Sequence, residues 1–276
     1  MDRRLRPATD RVVARDHAQD FPDLRPVDPE PMFVSLPVTD LCRSPDGARD
    51  RQLMYGTPCE VLDRVDGWAF VRVPTMSGYV GWLHDAALRP SDDRPPAVLR
   101  VCVQQTHAYS QPDFKQPETL ALSEGSRLFG GAVEGRFIRT EAGWVPQSHL
   151  SETSERDPVA VAERYLGTPY LWGGNSVWGV DCSGLVWAGL AACGYDCPGD
   201  SDMQEARLGQ TLPAGTAPQR GDLMFWKGHV AWVADGDRLL HANAHHMAVR
   251  YEPIAEAIAR IEAQGDGPVT RHARLK

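Results

Sequence analysis

Thr168-Pro169-Tyr170-Leu171-Trp172-Gly173-Gly174-Asn175, followed six residues later by Asp181-Cys182-Ser183-Gly184-Leu185, decides how this chain is read. The first segment is a Gly-rich aromatic loop. The second predicts a helix start, because Asp is a favoured N-cap. Leu185, Val186, Ala188, Gly189 and Ala192 carry the helix to a stop at Gly194. So many small residues let a helix lie close against a sheet. Cys182 therefore falls at a helix N-terminus, where the dipole and free N–H groups favour negative charge. A thiol so placed can drop well below its ordinary pKa of about 8.5 and react as a thiolate. The glycines let backbone approach a ligand closely. A buried structural cysteine is the alternative for Cys182, and Cys42, Cys59, Cys102, Cys193 and Cys197 are read that way.

Downstream, strands are predicted at 223–226, 229–234 and 238–242, joined by Lys227-Gly228 and Asp235-Gly236. His229, Ala231 and Val233 share one strand face. A turn centred on residue 235 puts His241 opposite His229, with Cβ atoms roughly 4.5–5.5 Å apart. A shifted turn puts Asn243 there instead, with the same parity. His241, or else Asn243, would orient His229 as the base for a Cys182 nucleophile. The two histidines would equally suit a metal. His245 and His246 are near in sequence, yet no spacing fixes a complete ligand set, so no metal and no cofactor is expected. Asp157-Pro158 reads as N-cap and first helical residue, with Val159, Ala162 and Leu166 on one face and Gly167 as the stop. A last helix runs from Pro253 with Ile254, Ile258 and Ile261 inward, and a short strand follows Pro268. Residues 155–276 thus form an α+β domain.

Upstream, two β-rich stretches repeat one scheme. Leu122-Ser-Glu-Gly125 echoes Leu53-Met-Tyr-Gly56, and Gly143-Trp144 with Leu150 echoes Gly81-Trp82 with Leu88. The Gly-to-Gly distance is 25 in the first copy and 18 in the second, which places about seven extra residues near 74–78 in the first. The copies span 32–92 and 97–151, separated by Pro95-Pro96. Their aromatics, Trp82 and Trp144 included, read as small-barrel core. Residues 1–31 read as a Pro-rich N-terminal extension or linker, in which Val12, Val13 and Ala14 could start a short helix.

The composition is that of a globular chain: 276 residues, 42% hydrophobic and 24% charged. A net charge of −8 disfavours nucleic acid as a partner, and no apolar run approaches the roughly 20 residues of a membrane span. No apolar segment follows the basic N-terminus, and six cysteines are too sparse for a disulfide scaffold. A cytoplasmic location is the expectation. Cys193 and Cys197 lack a second pair for structural zinc.

Leu166-Gly-Thr-Pro-Tyr170, Trp172-Gly-Gly, Asp181-Cys-Ser-Gly-Leu185, Gly221-Asp-Leu223 and Gly228-His-Val-Ala231 together resemble the NlpC family of papain-like cysteine peptidases. The two upstream copies resemble bacterial SH3-like barrels. The resemblance implies a multidomain fold, two small all-β SH3-like barrels before an α+β papain-like peptidase domain. It makes Cys182 the nucleophile, His229 the general base and His241 the orienter, with Tyr170 and Trp172 in oxyanion or substrate positioning. The whole chain resembles endopeptidases that cut the γ-D-glutamyl–diamino-acid bond of murein peptides. That implies recycling of freed peptides, with Asp181, Ser183 and a first-barrel tyrosine, best matched by Tyr79, holding the free amine of an N-terminal L-Ala. Asp181 as a plain N-cap stays open beside this role. An exported wall hydrolase and a non-catalytic peptide-binding module are the rival readings. Oligomeric state and the choice of diaminopimelate or lysine are not encoded in any motif.

Overall fold

The β-branched and aromatic runs of the N-terminal half form strands, and they do so twice in one order. The computed structural model describes residues 1–90 and 98–275, and the chain divides into two units, Met1–Glu152 and Thr153–Lys276. In the N-terminal unit a two-stranded parallel pair, β1 (Val12–Ala14) and β2 (Arg25–Val27), comes first. The first large sheet comprises β3 (Glu30–Val34), β4 (Val38–Cys42), β5 (Arg49–Met54), β6 (Pro58–Val65), β7 (Trp68–Val73), β8 (Tyr79–His84) and β9 (Leu88–Pro90). The second comprises β10 (Val98–Val101), β11 (Gln105–Tyr109), β12 (Glu118–Ser123), β13 (Arg127–Glu134), β14 (Phe137–Thr140), β15 (Gly143–Pro146) and β16 (Leu150–Ser151).

The spatial orders are β5-β4-β8-β7-β6-β3-β9 and β12-β11-β15-β14-β13-β10-β16. Each strand of the first sheet thus corresponds to the strand seven places later in the second. A 3₁₀ turn precedes the last strand of each copy, Asp85–Ala87 and Gln147–His149. The repeat read in the sequence is therefore a repeat of topology. All seven residues of difference lie between Trp68 and Gly81. In the first copy β7 and β8 pair from Trp68↔His84 to Val71↔Gly81, and the second copy matches this with Phe137↔Pro146 to Thr140↔Gly143. The first copy then adds Arg72↔Val80 and Val73↔Tyr79 and a 3₁₀ turn at Pro74–Met76. Pro95 and Pro96 lie outside the described residues.

The two sheets share packing inside this unit. Tyr55, from the turn after β5, joins the second core with Leu99, Leu122, Leu128 and Val145. Gly56, at φ +74°, faces the Arg127 carbonyl so closely that a Cβ would overlap it. The N-terminal segment is not the linker its prolines suggested. Val12, Val13 and Ala14 form a strand rather than a helix, since β-branched residues favour extended backbone, and all three are fully buried. Ala14 packs with Leu62, Phe70 and Val80 of the first sheet. Arg3–Asp50 at 2.6 Å and Arg11–Asp63 at 2.8 Å tie its surface down.

The second unit holds helices α1 (Pro158–Glu163), α2 (Cys182–Ala192), α3 (Ser201–Arg207) and α4 (Ile254–Gln264). A small hairpin, β17 (Asn175–Ser176) and β18 (Gly179–Val180), precedes α2. Strands β19 (Gln210–Thr211), β20 (Asp222–Trp226), β21 (His229–Val233), β22 (Arg238–Asn243), β23 (Ala248–Pro253) and β24 (Arg271–Arg274) form an antiparallel sheet, order β19-β24-β20-β21-β22-β23. Asp157 caps α1 through Val159 N–H at 2.9 Å. That helix stops at Glu163, short of the predicted Gly167, and Tyr165 rather than Leu166 is buried. The stretches holding α3 and β23 had shown no apolar period, so both elements are additions to the sequence reading.

α2 packs on β21 and β22 and also on α1. Its residues 182–190 are all buried, which is why it is apolar all round rather than on one stripe. Gly189 makes the α1 approach possible: a Cβ there would lie 2.5 Å from the Pro158 carbonyl oxygen. Gly189→Val is expected to destabilise the unit by about 1–3 kcal/mol through overpacking. Urea unfolding measures this, and an unchanged midpoint would contradict the close approach.

Candidate active site

The candidate site has two parts, the capped start of α2 and a row of polar side chains across β21, β22 and β23, and α2 packs on β21 and β22. Asp181 is the N-cap, and its Oδ1 accepts Gly184 N–H at 2.7 Å and Ser183 Oγ–H at 3.0 Å. Its Oδ2 accepts Gly173 N–H at 2.8 Å, tying the Gly-rich loop to the helix start. The capping role is thus present in the structure. Gln204, fully buried on α3, donates to the Ser183 carbonyl at 2.9 Å and holds the same turn from below. Cys182 is buried at the first residue of α2.

His229 opens β21 and is partly exposed, whereas His241 on β22 is fully buried. The ladder pairs Trp232 with Leu240 and Val233 with Leu239. The turn is therefore centred on residue 236, not 235, and its register continues to Asn243 opposite His229. The predicted direct pairing of 229 with 241 is corrected on this point. His241 still shares the face, one step along the diagonal, and long side chains bridge that separation. His229 Nε2 and His241 Nδ1 lie 2.9 Å apart. Asn243 instead accepts His246 N–H at 2.8 Å.

The row continues beyond the residues found by sequence. His241 Nε2 lies 2.9 Å from Glu252 Oε2 on β23. Arg260 of α4 grips Glu252 with Nε at 2.8 Å and a terminal nitrogen at 2.7 Å. Glu252, Arg260 and Gln204 were all missed. Pairing 248–253 with 238–243 as a hairpin would have set Glu252 beside His241, but no short motif marks that strand.

The charges fix the protons. Burial raises the Glu252 carboxyl, but the Arg260 and His241 hydrogen bonds more than offset this and hold it below its ordinary range. Burial also lowers His241, against the pull of Glu252, so that ring is neutral. An ionised carboxylate can only accept, so His241 carries its proton on Nε2. Its Nδ1 is then an acceptor and takes the Nε2–H of His229. The lone pair of His229 is left on Nδ1, the nitrogen not used in the row. Burial, then His241, push His229 down to about 3, so it is a neutral base throughout the physiological range.

The remaining expected residues fall in different places. Tyr170 borders the same cavity as His229. Trp172 is largely exposed on the Gly-rich loop. Ser183 lies next to Cys182 on α2. Tyr79 belongs to the N-terminal unit, where it opens β8, is buried, and pairs with Val73. The six cysteines are all free thiols.

A thiol at a helix start and a carboxylate-anchored pair of histidines on adjoining strands are the parts from which a cysteine-peptidase site is built. Residues 167–263 match the NlpC/P60 family and residues 41–88 the bacterial dipeptidyl-peptidase Sh3 domain. The chain carries an NlpC/P60 domain and a bacterial SH3 domain and is a cysteine peptidase. It is 28% identical over 236 residues to a protein of Bacillus subtilis named Gamma-D-glutamyl-L-lysine dipeptidyl-peptidase, covering 77% of this chain and 78% of that one. It is 25% identical over 227 residues to Dipeptidyl-peptidase 6 of Lysinibacillus sphaericus, covering 70% and 79%. Its fold is shared with the crystal structure of an NlpC/P60 family protein from Bacillus cereus, TM-score 0.75 at 19% identity, covering 89% and 99%.

Glu252→Gln should reverse both tautomers, because an amide can donate to His241 Nε2. His229 would then carry its proton on Nδ1. The expected loss in kcat is about 10²- to 10⁴-fold with the fold retained, read from peptide hydrolysis and circular dichroism. Wild-type kcat in a folded variant would contradict the relay. The lowered histidines also set a pH dependence of stability. Unfolding releases them to bind protons below their ordinary pKa of about 6.5, while the folded forms stay neutral. Stability should therefore fall as pH drops from about 6.5 to 4.5, by up to about 1.4 kcal/mol per pH unit from His229, with His241 acting in the same direction. Urea titrations should show a shallower slope in His229→Gln.

Proposed function

We propose that this peptidase hydrolyses the amide between the γ-carboxyl of D-glutamate and a diamino acid, in murein peptides whose N-terminal L-alanine has a free amine. The reading is carried by the Cys182 helix start and the His229–His241–Glu252 row, in a chain similar over three quarters of its length to a dipeptidyl-peptidase of that bond. Cys182 gives its proton to His229 Nδ1 and its sulfur attacks the γ-carbonyl carbon. The backbone N–H of Cys182 receives the oxyanion, with Tyr170 as second donor and Trp172 beside the peptide. As the C–N bond breaks, His229 returns the proton to the leaving amine, and a thioester remains. Water then attacks and gives a proton to His229, the C–S bond breaks to free the acid, and His229 returns that proton to the Cys182 sulfur.

Asp181 and Ser183 are assigned the substrate's free α-amine, since their short polar side chains lie one residue either side of the nucleophile. A carboxylate there favours an ammonium and rejects an alanine still acylated by a sugar. The substrate is thus a released peptide, and recycling in the cytoplasm is the role proposed. A net charge of −8 supports this over a polyanionic wall polymer. The second seven-stranded sheet is assigned as a second SH3-like unit, which its identical strand order supports.

The test is a paired mass-spectrometric digest of L-Ala-γ-D-Glu-diaminopimelate and the same peptide capped on alanine by muramic acid. Release of L-Ala-D-Glu from the free peptide alone, lost in Cys182→Ala, is the expected outcome. Equal cleavage of both would discard the amine pocket and favour a broad wall hydrolase.

A further inference from the structure

A cavity of about 180 Å³ borders His229, with Lys227, Asn243 and Arg260 in its wall and Tyr170 and Asp266 alongside. Its basic groups differ in what they are free to do. Arg260 is committed to Glu252 and to Gln264 at 2.9 Å. Lys227 is exposed at the turn between β20 and β21 and has no ion-pair partner among the described residues. Asn243 is only 5% exposed. The backbone N–H of His246 donates to its Oδ1 at 2.8 Å, which fixes the orientation of the amide. Its Nδ2 therefore presents N–H donors, and these find no acceptor among the described residues. A buried donor left unsatisfied is costly, and such groups in native proteins call for an occupant.

The reaction says which occupant. His229 hands its proton to the leaving amine, so the residue that bears this amine must lie against His229. The acyl side of the substrate lies toward Cys182 and Asp181 on α2, whereas this cavity is walled by the β20–β21 turn, the end of β22 and α4. We propose that the cavity is the leaving-side subsite and holds a carboxylate of the diamino acid between Asn243 Nδ2 and Lys227 Nζ. The assignment rests on the proposed substrate. Asp266 meets the ammonium that such a residue also carries, which gives the cavity one group for each charge of an amino acid. Two carboxylates have the right chemistry: the α-carboxylate of any diamino acid, and the second carboxylate of diaminopimelate.

The test uses the full chain with L-Ala-γ-D-Glu-L-Lys and L-Ala-γ-D-Glu-meso-diaminopimelate, each as free acid and as α-amide. Wild-type enzyme should prefer acid over amide by about tenfold in kcat/KM, expressed in KM, the scale of one charge-assisted hydrogen bond. Lys227→Gln, a change at an exposed turn, and Asn243→Asp, which keeps the acceptor for His246, should each reduce that preference to near one. If the second carboxylate is the one held, α-amidation leaves both peptides unaffected, the diaminopimelate peptide is cut about tenfold better than the lysine peptide, and both variants lose that preference. Equal penalties identify the α-carboxylate. Cleavage of all four peptides with neither an acid nor a diaminopimelate preference, or loss of rate in both variants irrespective of the peptide, overturns the subsite while leaving the substrate reading intact. Failure of the wild type to cut any of the four overturns the substrate reading and the subsite with it.

Discussion

A single buried carboxylate governs the peptidase site. Glu252 stays ionised in the interior because Arg260 reaches it with two nitrogens from α4. Were the carboxyl to protonate, it would donate to His241 rather than accept, and each histidine beyond would turn its proton the other way. The fork from α4 therefore controls a lone pair two rings distant. This requires three successive strands in fixed register, with His229, His241 and Glu252 reaching along diagonals rather than straight across. The same burial that keeps both rings neutral would expel the carboxylate if it were alone.

The nucleophile is positioned by a separate set of constraints. Asp181 caps α2 and ties down the Gly-rich loop, Gln204 holds the second residue's carbonyl, and Gly189 lets the helix sit against α1. Polar groups fix the N-terminal end, and close backbone packing fixes the other. The chemistry thus falls at the junction of a rigid helix and a rigid sheet, neither of which borrows its geometry from a long loop.

What could be read in the sequence follows the range over which the cause acts. The α2 start was legible because capping and the glycine stop act within a few residues of Cys182. The repeat was legible because its Gly-Trp and Gly turns recur at countable spacing. The pairing of His229 with His241 was reached through parity, which survives a one-residue error in the centre of a turn. Direct opposition was not reached, since Asp235-Gly236-Asp237 closes as a three-residue loop. Glu252 and Arg260 were hidden because their meaning is set by a strand with no apolar alternation and a helix packed on it. The N-terminal segment misled for a related reason. Its prolines report local stiffness, while the burial of Val12–Ala14 depends on a sheet more than forty residues away.

The two N-terminal sheets differ most in length at the β7–β8 hairpin, and the manner of the difference has a consequence for how such a repeat diversifies. The longer copy gains two residues in each arm and the remainder at the tip. Because the added pairs lie beyond the shared ones, toward the tip, every older pair keeps its partner and its face. The graft also feeds the core beneath it: Val80, one of its residues, packs with Leu62 and Phe70. Tyr79 is among the added residues, has no counterpart in the second copy and is buried, so the longer hairpin is where one duplicate enlarged its interior while both kept a common strand order.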